Sequence, residues 1–269
     1  MSYRVSNFDS NDDVRKLAER GQFSVIEWRR DLSTTPWTAQ TAWFAAEMDV
    51  RRRQLIINLA GGPGATLQSG AMQWTVGDVR ADTGVKGAGD LVGKMFRGAV
   101  SQDSMIKPEY RGSGMVVCEP TWQHLLLVDL AAWGNSVVLN DGLFLACDAG
   151  IKDSLQRRSN LTSAVAGNEG LFNLRLDGSG VVALESPCPE QEIVFIDLEN
   201  DELKVDGNYA LLWSSSLEFS VERSGKSLIG SAVGGEGLVN VYRGTGRVML
   251  APMQPSTGCN TYAPTPTDV

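Results

Sequence analysis

The chain has 269 residues, and its 42% hydrophobic content is ample for a buried core in one large or two ordinary domains. Its 24 basic and 32 acidic residues give a formal net charge of -8 at pH 7, an acidic surface that repels phosphate backbones, excludes DNA as a partner and disfavours RNA. The most apolar stretch, His124 to Trp133, is too short to cross a bilayer, so no transmembrane segment is expected.

Residues 1–44 are predicted to form an extension in front of the repeats. The segment opens with polar and acidic residues and has no basic residue leading into an apolar run, so we expect no secretion signal and a cytoplasmic location. Asn11 to Arg20 (NDDVRKLAER) is predicted to be a short helix. Asn11 suits the N-cap, two acids fall in the first turn, and Gly21 suits the end.

One short motif occurs at three places, separated by two steps of 66 residues. It reads RGSG from 111, DGSG from 177 and RGTG from 243, and each copy is followed by an apolar run. Glycines on either side of a small hydroxyl residue favour a positive φ, so each copy is predicted to be strand, tight turn, strand. The predicted turn glycines are Gly112, Gly114, Gly178, Gly180, Gly244 and Gly246.

The spacing of this motif predicts the organisation of the chain. Other segments recur in step with it, and stretches such as Leu217 to Glu222 alternate apolar and polar residues, as half-buried strands do. We therefore predict an all-β protein of three tandem β-roll repeats at 45–120, 121–187 and 188–253. The first repeat is lengthened by a Gly-rich insertion around Gly84 to Gly98, and residues 254–269 are predicted to be a disordered tail.

Three features together resemble the family of altered inheritance of mitochondria protein 24, over Ala45 to Met253. They are the sequence Gly70-Ala71-Met72, the Glu-Gly-Leu strand starts at 169 and 236, and the three Gly-x-Gly segments. The resemblance implies a triplicated β-roll with a pseudo-threefold arrangement. This is a short relative of the double-stranded β-helix, similar to the subunit of the tryptophan-responsive RNA-binding attenuation protein. It brings no catalytic residues with it, and bacterial members of the family have no settled function.

His124 is the only histidine of the chain. A single histidine excludes two-histidine metal sites, and the sequence has no GxSxG motif whose serine it could activate. We therefore expect His124 to be a structural or surface residue beside Trp122. No metal site and no cofactor site are predicted.

The cysteines are compared with the repeat. Cys118 corresponds to Leu184 and Leu250, and Cys147, six residues after Asp141, corresponds to Leu212, six after Asp206. Positions that elsewhere hold leucine predict small buried hydrophobic residues rather than nucleophiles or metal ligands.

Two further motifs are ambiguous. The stretch from Gly87 to Met95 resembles a phosphate-binding loop, but the spacing before Gly-Lys is short by one and Met95 replaces the hydroxyl residue, so we expect an insertion between strands. The triplet Arg51-Arg52-Arg53 is either a solvated edge or a contact for an acidic partner or a lipid headgroup. Alternate residues of a strand point to opposite faces, so a single basic patch is not assured.

The leading hypothesis is a non-catalytic scaffold or assembly protein that acts through protein–protein contacts, or contacts at a membrane surface. Because repeated sheets expose edges, we expect a homo-oligomer as well as an unidentified protein partner. The alternative is a module that binds a small ligand or RNA, by analogy with the attenuation protein. An enzyme has no motif in support, and none is predicted.

Overall fold

A computed structural model describes residues 3–83, 107–157, 172–223 and 238–253. In this part of the chain the protein is all-β, as predicted, with barrel-like curled sheets and one short α-helix, α1 (Ala39–Glu47). The strands, in chain order, are β1 (Val14–Arg20), β2 (Phe23–Trp28), β3 (Arg53–Asn58), β4 (Ala65–Leu67), β5 (Met72–Asp82), β6 (Glu109–Cys118), β7 (His124–Asp129), β8 (Ser136–Leu139), β9 (Phe144–Asp148), β10 (Lys152–Arg157), β11 (Phe172–Asp177), β12 (Val181–Ser186), β13 (Val194–Asp206), β14 (Ala210–Ser214), β15 (Glu218–Arg223) and β16 (Leu238–Leu250).

The strands form two sheets. The first has nine strands in the order β1-β2-β3-β6-β4-β9-β12-β7, with β5 paired to β6. The second has seven strands in the order β10-β11-β8-β14-β16-β13, with β15 paired to β16. All the pairings are antiparallel, which matches the alternation of apolar and polar residues in the sequence.

One pattern of pairing recurs along the chain. β12 lies between β7 and β9, the end of β16 lies between β13 and β14, and the end of β6 lies between β3 and β5. Val116, Val182 and Val248, which are separated by the 66-residue step, each pair on both sides in these ladders. The step in the sequence therefore links equivalent positions in the sheets.

The predicted helix from Asn11 to Arg20 is wrong. Most of this segment is strand β1, which pairs with β2 from Val14↔Trp28 to Arg20↔Phe23. Gly21 has φ +59 in the two-residue loop between the strands, where a hairpin needs this conformation, so it is a turn residue and not a helix end. Helix propensity is a weak preference, and the pairing with the buried strand β2 overrides it.

The predicted tight turns at 111–114 and 243–246 are also wrong, because both segments lie inside continuous strands, β6 and β16. The glycines instead let a neighbouring strand approach closely. A Cβ atom on Gly112 would lie 2.0 Å from the Asp78 carbonyl oxygen, and one on Gly114 would lie 2.2 Å from that of Val76. At 177–180 the chain leaves β11 in the second sheet and enters β12 in the first.

The buried apolar side chains join distant parts of the chain. The largest cluster includes Leu139 and Leu184 together with Leu212 and Met249 from the last strands. A second cluster includes Phe23 of β2, packed with residues of β3, β6 and β9. The N-terminal hairpin is therefore a part of the core and not an appendage.

Candidate functional site

A cleft of about 460 Å³ lies between the N-terminal segment and strands β3 and β5. Three aromatic rings line it. The ring of Phe8 packs edge-on against Trp74, at 5.2 Å between centroids, and lies 6.4 Å from the ring of Trp28. An aromatic cavity of this size is typical of sites that bind a small molecule or a protruding side chain.

Hydrogen bonds hold the floor of the cleft in place. The indole Nε1 of Trp28 donates to Oε1 of the buried Gln54 at 2.7 Å, and Nε2 of Gln54 donates to Oε1 of Gln73 at 2.9 Å and to the carbonyl of Cys118 at 3.1 Å. Because every polar group of the Gln54 amide is engaged, its orientation and that of Trp28 are fixed before any ligand arrives.

Two ion pairs form the rim. Arg30 contacts Asp13 at 2.5 Å and Arg52 contacts Asp31 at 2.8 Å, and the hydrogen bond to Asp13 raises the pKa of Arg30. The guanidinium of Arg52 also lies over the ring of Trp122, 5.1 Å from its centroid. The rim therefore offers both signs of charge around an apolar floor.

The arginine triplet does not form one basic patch. Arg52 is at the rim, whereas Arg53 is buried and pairs at 2.9 Å with the buried Glu27, which also contacts Arg15 at 2.8 Å. Arg51 donates to the carbonyl of Ala46 at 2.9 Å and so ties the end of α1 to the sheet. The three side chains thus have three different roles.

His124 lies in β7, half-buried, and its backbone position pairs with Ser186. Burial, and next the positive charge of Arg53, lower its pKa, while Glu27 acts in the opposite direction. The imidazole is therefore neutral at pH 7 and belongs to the buried surroundings of the Glu27–Arg53 pair.

The cysteines Cys118, Cys147 and Cys188 are buried. Burial raises the pKa of Cys118 to about 12 and also raises that of Cys147, so both thiols stay protonated and unreactive. The predicted correspondence of Cys147 with Leu212 is wrong by one position. Cys147 pairs with Val182 and Trp213 pairs with Val248, so Trp213 is the equivalent residue. The slip arises because Asp206 lies seven residues before Trp213, whereas Asp141 lies six before Cys147.

The other features considered in the sequence add no functional site in the described residues. Within the described ranges, no group of three or more His, Cys, Asp or Glu side chains is placed to hold a metal ion. In the same ranges no helix is long and apolar enough to cross a membrane. The stretch Gly87 to Met95, most of the Gly-rich insertion and the predicted tail 254–269 lie outside the described residues.

Sequence reasoning missed the cleft as a site. The available signal was the concentration of tryptophans in the N-terminal third of the chain, but nothing in their spacing brings Trp28 to Trp74. The hairpin β1–β2 creates that proximity by pairing with β3, and the sequence had predicted a helix there.

The fold and the cleft define a class: an all-β protein of curled sheets with an aromatic cleft. Within that class, the chain belongs to the family described as Mitochondrial biogenesis AIM24, whose model matches residues 46–253, and the predicted family is thus confirmed. The cleft residues Phe8 and Trp28 lie before the matched region, whereas Gln54 and Trp74 lie within it.

Two relatives from Streptococcus pyogenes are similar to the chain. The uncharacterized protein M6_Spy0233 of serotype M6 is 28% identical over 202 residues, which cover 72% of this chain and 79% of that protein. The crystal structure of protein SPYM3_0169 matches with a TM-score of 0.56 at 23% identity, covering 90% of this chain and 94% of the other. This second likeness concerns the fold alone.

Proposed function

We propose that the protein is a non-catalytic assembly protein that binds a partner protein in the aromatic cleft. In this proposal the body is three β-roll modules around a pseudo-threefold axis, as in the attenuation-protein subunit, and it serves as a rigid frame. The recurring strand pairings support the modular part. The cytoplasmic location expected from the sequence remains a prediction.

The observation that carries the proposal is the rigid aromatic floor between paired charges. Tryptophan, phenylalanine and arginine are enriched where proteins bind each other, and a few such residues supply most of the binding energy. Trp28 is fixed by Gln54 and Trp74 by Phe8, so docking costs little side-chain ordering. The floor itself carries amides and rings, which suit recognition better than proton transfer.

The volume of the cleft favours a second candidate, the binding of a small apolar ligand. About 460 Å³ lies within the range of sites for small molecules. RNA is the weaker form of this alternative because the net charge of -8 repels the backbone.

The test is affinity capture from the native lysate with the wild type, Trp74→Ala and a control, Phe195→Ala, which removes an exposed ring far along the chain in β13. We expect a stoichiometric protein to be captured by the wild type and the control, and at least about tenfold less of it by Trp74→Ala. Because Trp74 packs against the buried Ile26, Ile56 and Val117, the capture is carried out at a temperature at which circular dichroism shows all three forms to be folded. A metabolite in the native mass spectrum, with no protein partner, would favour the second candidate. Equal capture by all three forms would contradict the cleft as the binding site.

A further inference from the structure

The helix α1 is oriented against the usual rule for surface helices. Its half-buried residues are the small Ala42, Ala45 and Ala46, whereas Trp43 and Phe44 are 59% and 55% exposed and none of its residues is buried. A surface helix ordinarily turns its large apolar residues toward the core. Here the two aromatic rings pack on each other, at 5.1 Å between centroids, and each residue remains more than half exposed.

More exposed apolar side chains lie just before and just after α1 in the sequence, and we call the whole group the N-terminal apolar patch. Beside the helix, Trp37 is 93% exposed and Met48 77% exposed. The patch consists of Trp37, Trp43, Phe44, Met48 and Val50. Large exposed apolar side chains scattered singly are ordinary, but several in one short segment mark a surface that another molecule covers.

The structure presents this patch in a defined position. Arg51 donates to the carbonyls of Ala46, at 2.9 Å, and of Arg29, and thereby connects the end of α1 to the end of β2. A helix of nine residues is marginal in water without tertiary contacts, and none of the residues of α1 is buried. A covering molecule would therefore stabilise the helix as well as the patch.

We propose that the N-terminal apolar patch is the interface between two copies of this chain, with the helices α1 packed against each other across a twofold axis. The five side chains expose on the order of 700 Å², so two copies would bury roughly 1,400 Å², which is the size of a standard stable interface.

The charge distribution selects a second copy as the occupant. In a chain of net charge -8, most surfaces would bring carboxylates together if they met their own copy. The part of the patch that holds the three aromatic rings, from Leu32 to Ala46, has no charged residue, so two copies can pack it together without like-charge repulsion. Near Met48 and Val50, the carboxylate of Asp49 is paired with Arg51 at 3.2 Å. An anionic membrane would instead meet the repulsive field of the whole protein. The interface is separate from the partner site proposed for the cleft.

Light scattering on the full chain after size-exclusion chromatography tests the interface. We expect a dimer, and a dissociation constant raised at least about 100-fold in the double variant Trp43→Asp/Phe44→Asp, with circular dichroism and the capture by the cleft unchanged. The matched control, Val194→Asp/Phe195→Asp, introduces the same two charges at neighbouring exposed side chains of β13 and should leave the dimer intact.

Cross-linking locates the contact independently of stability. In a Cys259→Ser background, Gln40→Cys on the aromatic side of α1 should form a disulfide with its own copy under mild oxidation, whereas Lys16→Cys on the exposed side of β1 should not. A wild type that is monomeric at about 100 μM, a monomer that binds vesicles of anionic lipid through Trp43, or a dimer unaffected by the double variant would each overturn the proposal.

Discussion

At the scale of single residues, the surroundings of Gly112 predict the effect of changing a glycine of the repeated motif. It has φ +127, and a Cβ atom there would lie 2.0 Å from the Asp78 carbonyl oxygen of the paired strand. An alanine would strain the backbone at this φ and its Cβ would clash with the neighbouring strand. Gly112→Ala should therefore lower the free energy of unfolding by at least about 3 kcal/mol.

Gly61 is the control for Gly112. It also has a positive φ, +79, but no heavy atom lies within 4 Å of its would-be Cβ, so Gly61→Ala should cost only about 1 kcal/mol. Urea unfolding of the two variants measures the difference. Equal losses would show that close approach of the strands is not the reason for glycine at position 112.

The single histidine makes stability depend on pH. Burial and Arg53 lower the pKa of His124 from 6.5, so the unfolded chain takes up this proton at a higher pH than the folded one. The corresponding stability is fully present above pH 6.5, declines as the pH falls toward the folded pKa, and is lost below it. In proton NMR the one histidine signal should titrate below 6.5 in the folded protein and near 6.5 in urea.

His124→Gln is the variant that isolates this effect. It should lose less free energy of unfolding between pH 7.5 and pH 5.5 than the wild type, because its side chain binds no proton in either state. The same loss in both proteins would assign the pH dependence to the carboxylates and contradict the role given to His124.

At the scale of elements, the hairpin β1–β2 is predicted to be integral to the fold. Phe23 is fully buried in the second core cluster, whereas Leu17 of the partner strand is 43% exposed. Phe23→Ala should therefore cost about 3 to 5 kcal/mol and Leu17→Ala about 1 kcal/mol or less, measured by urea unfolding. Similar small losses for both variants would show that the hairpin is an appendage.

The same elements show which features a sequence can predict. The alternation around Leu217 and the 66-residue step predicted strands because both reflect local side-chain placement and internal repetition. The segment Asn11 to Arg20 has helix-like capping residues, and only its neighbour β2 makes it a strand. The segment 111–114 was predicted to be a turn, whereas the need for glycine at Gly112 and Gly114 comes from strand β5 alongside, which is distant in sequence.

The candidate site was less predictable than the fold for the same reason. Gln54 is an ordinary polar residue in the sequence, and its value as the support of Trp28 follows from a pairing between strands β2 and β3. Likewise α1 has good helix formers, but only the structure shows that its alanines are half-buried while Trp43 and Phe44 are exposed. Sites built from residues far apart in sequence require the tertiary structure.

At the scale of the whole molecule, the described part of the chain should unfold as one unit. β4 pairs with β9 and β8 pairs with β14, so hydrogen-bonded ladders connect each copy of the pairing pattern to the next. The largest core cluster crosses the same boundaries, since it contains Leu139 and Leu184 as well as Leu212. Separate unfolding of any one copy would expose apolar side chains of its neighbour.

Scanning calorimetry at one fixed protein concentration tests this unity. Leu212 is fully buried, so Leu212→Ala should lower the free energy of unfolding by about 3 kcal/mol. The protein should show a single endotherm, which the substitution shifts as a whole to lower temperature. The calorimetric and van't Hoff enthalpies, calculated for the unit that unfolds, should be equal. The exposed substitution Phe195→Ala should shift the endotherm little. If two endotherms appear and Leu212→Ala shifts only the one that belongs to the last strands, the recurring pairings form independent units. The rigid frame proposed for partner assembly would then be lost, because the cleft and the last strands would no longer share one core.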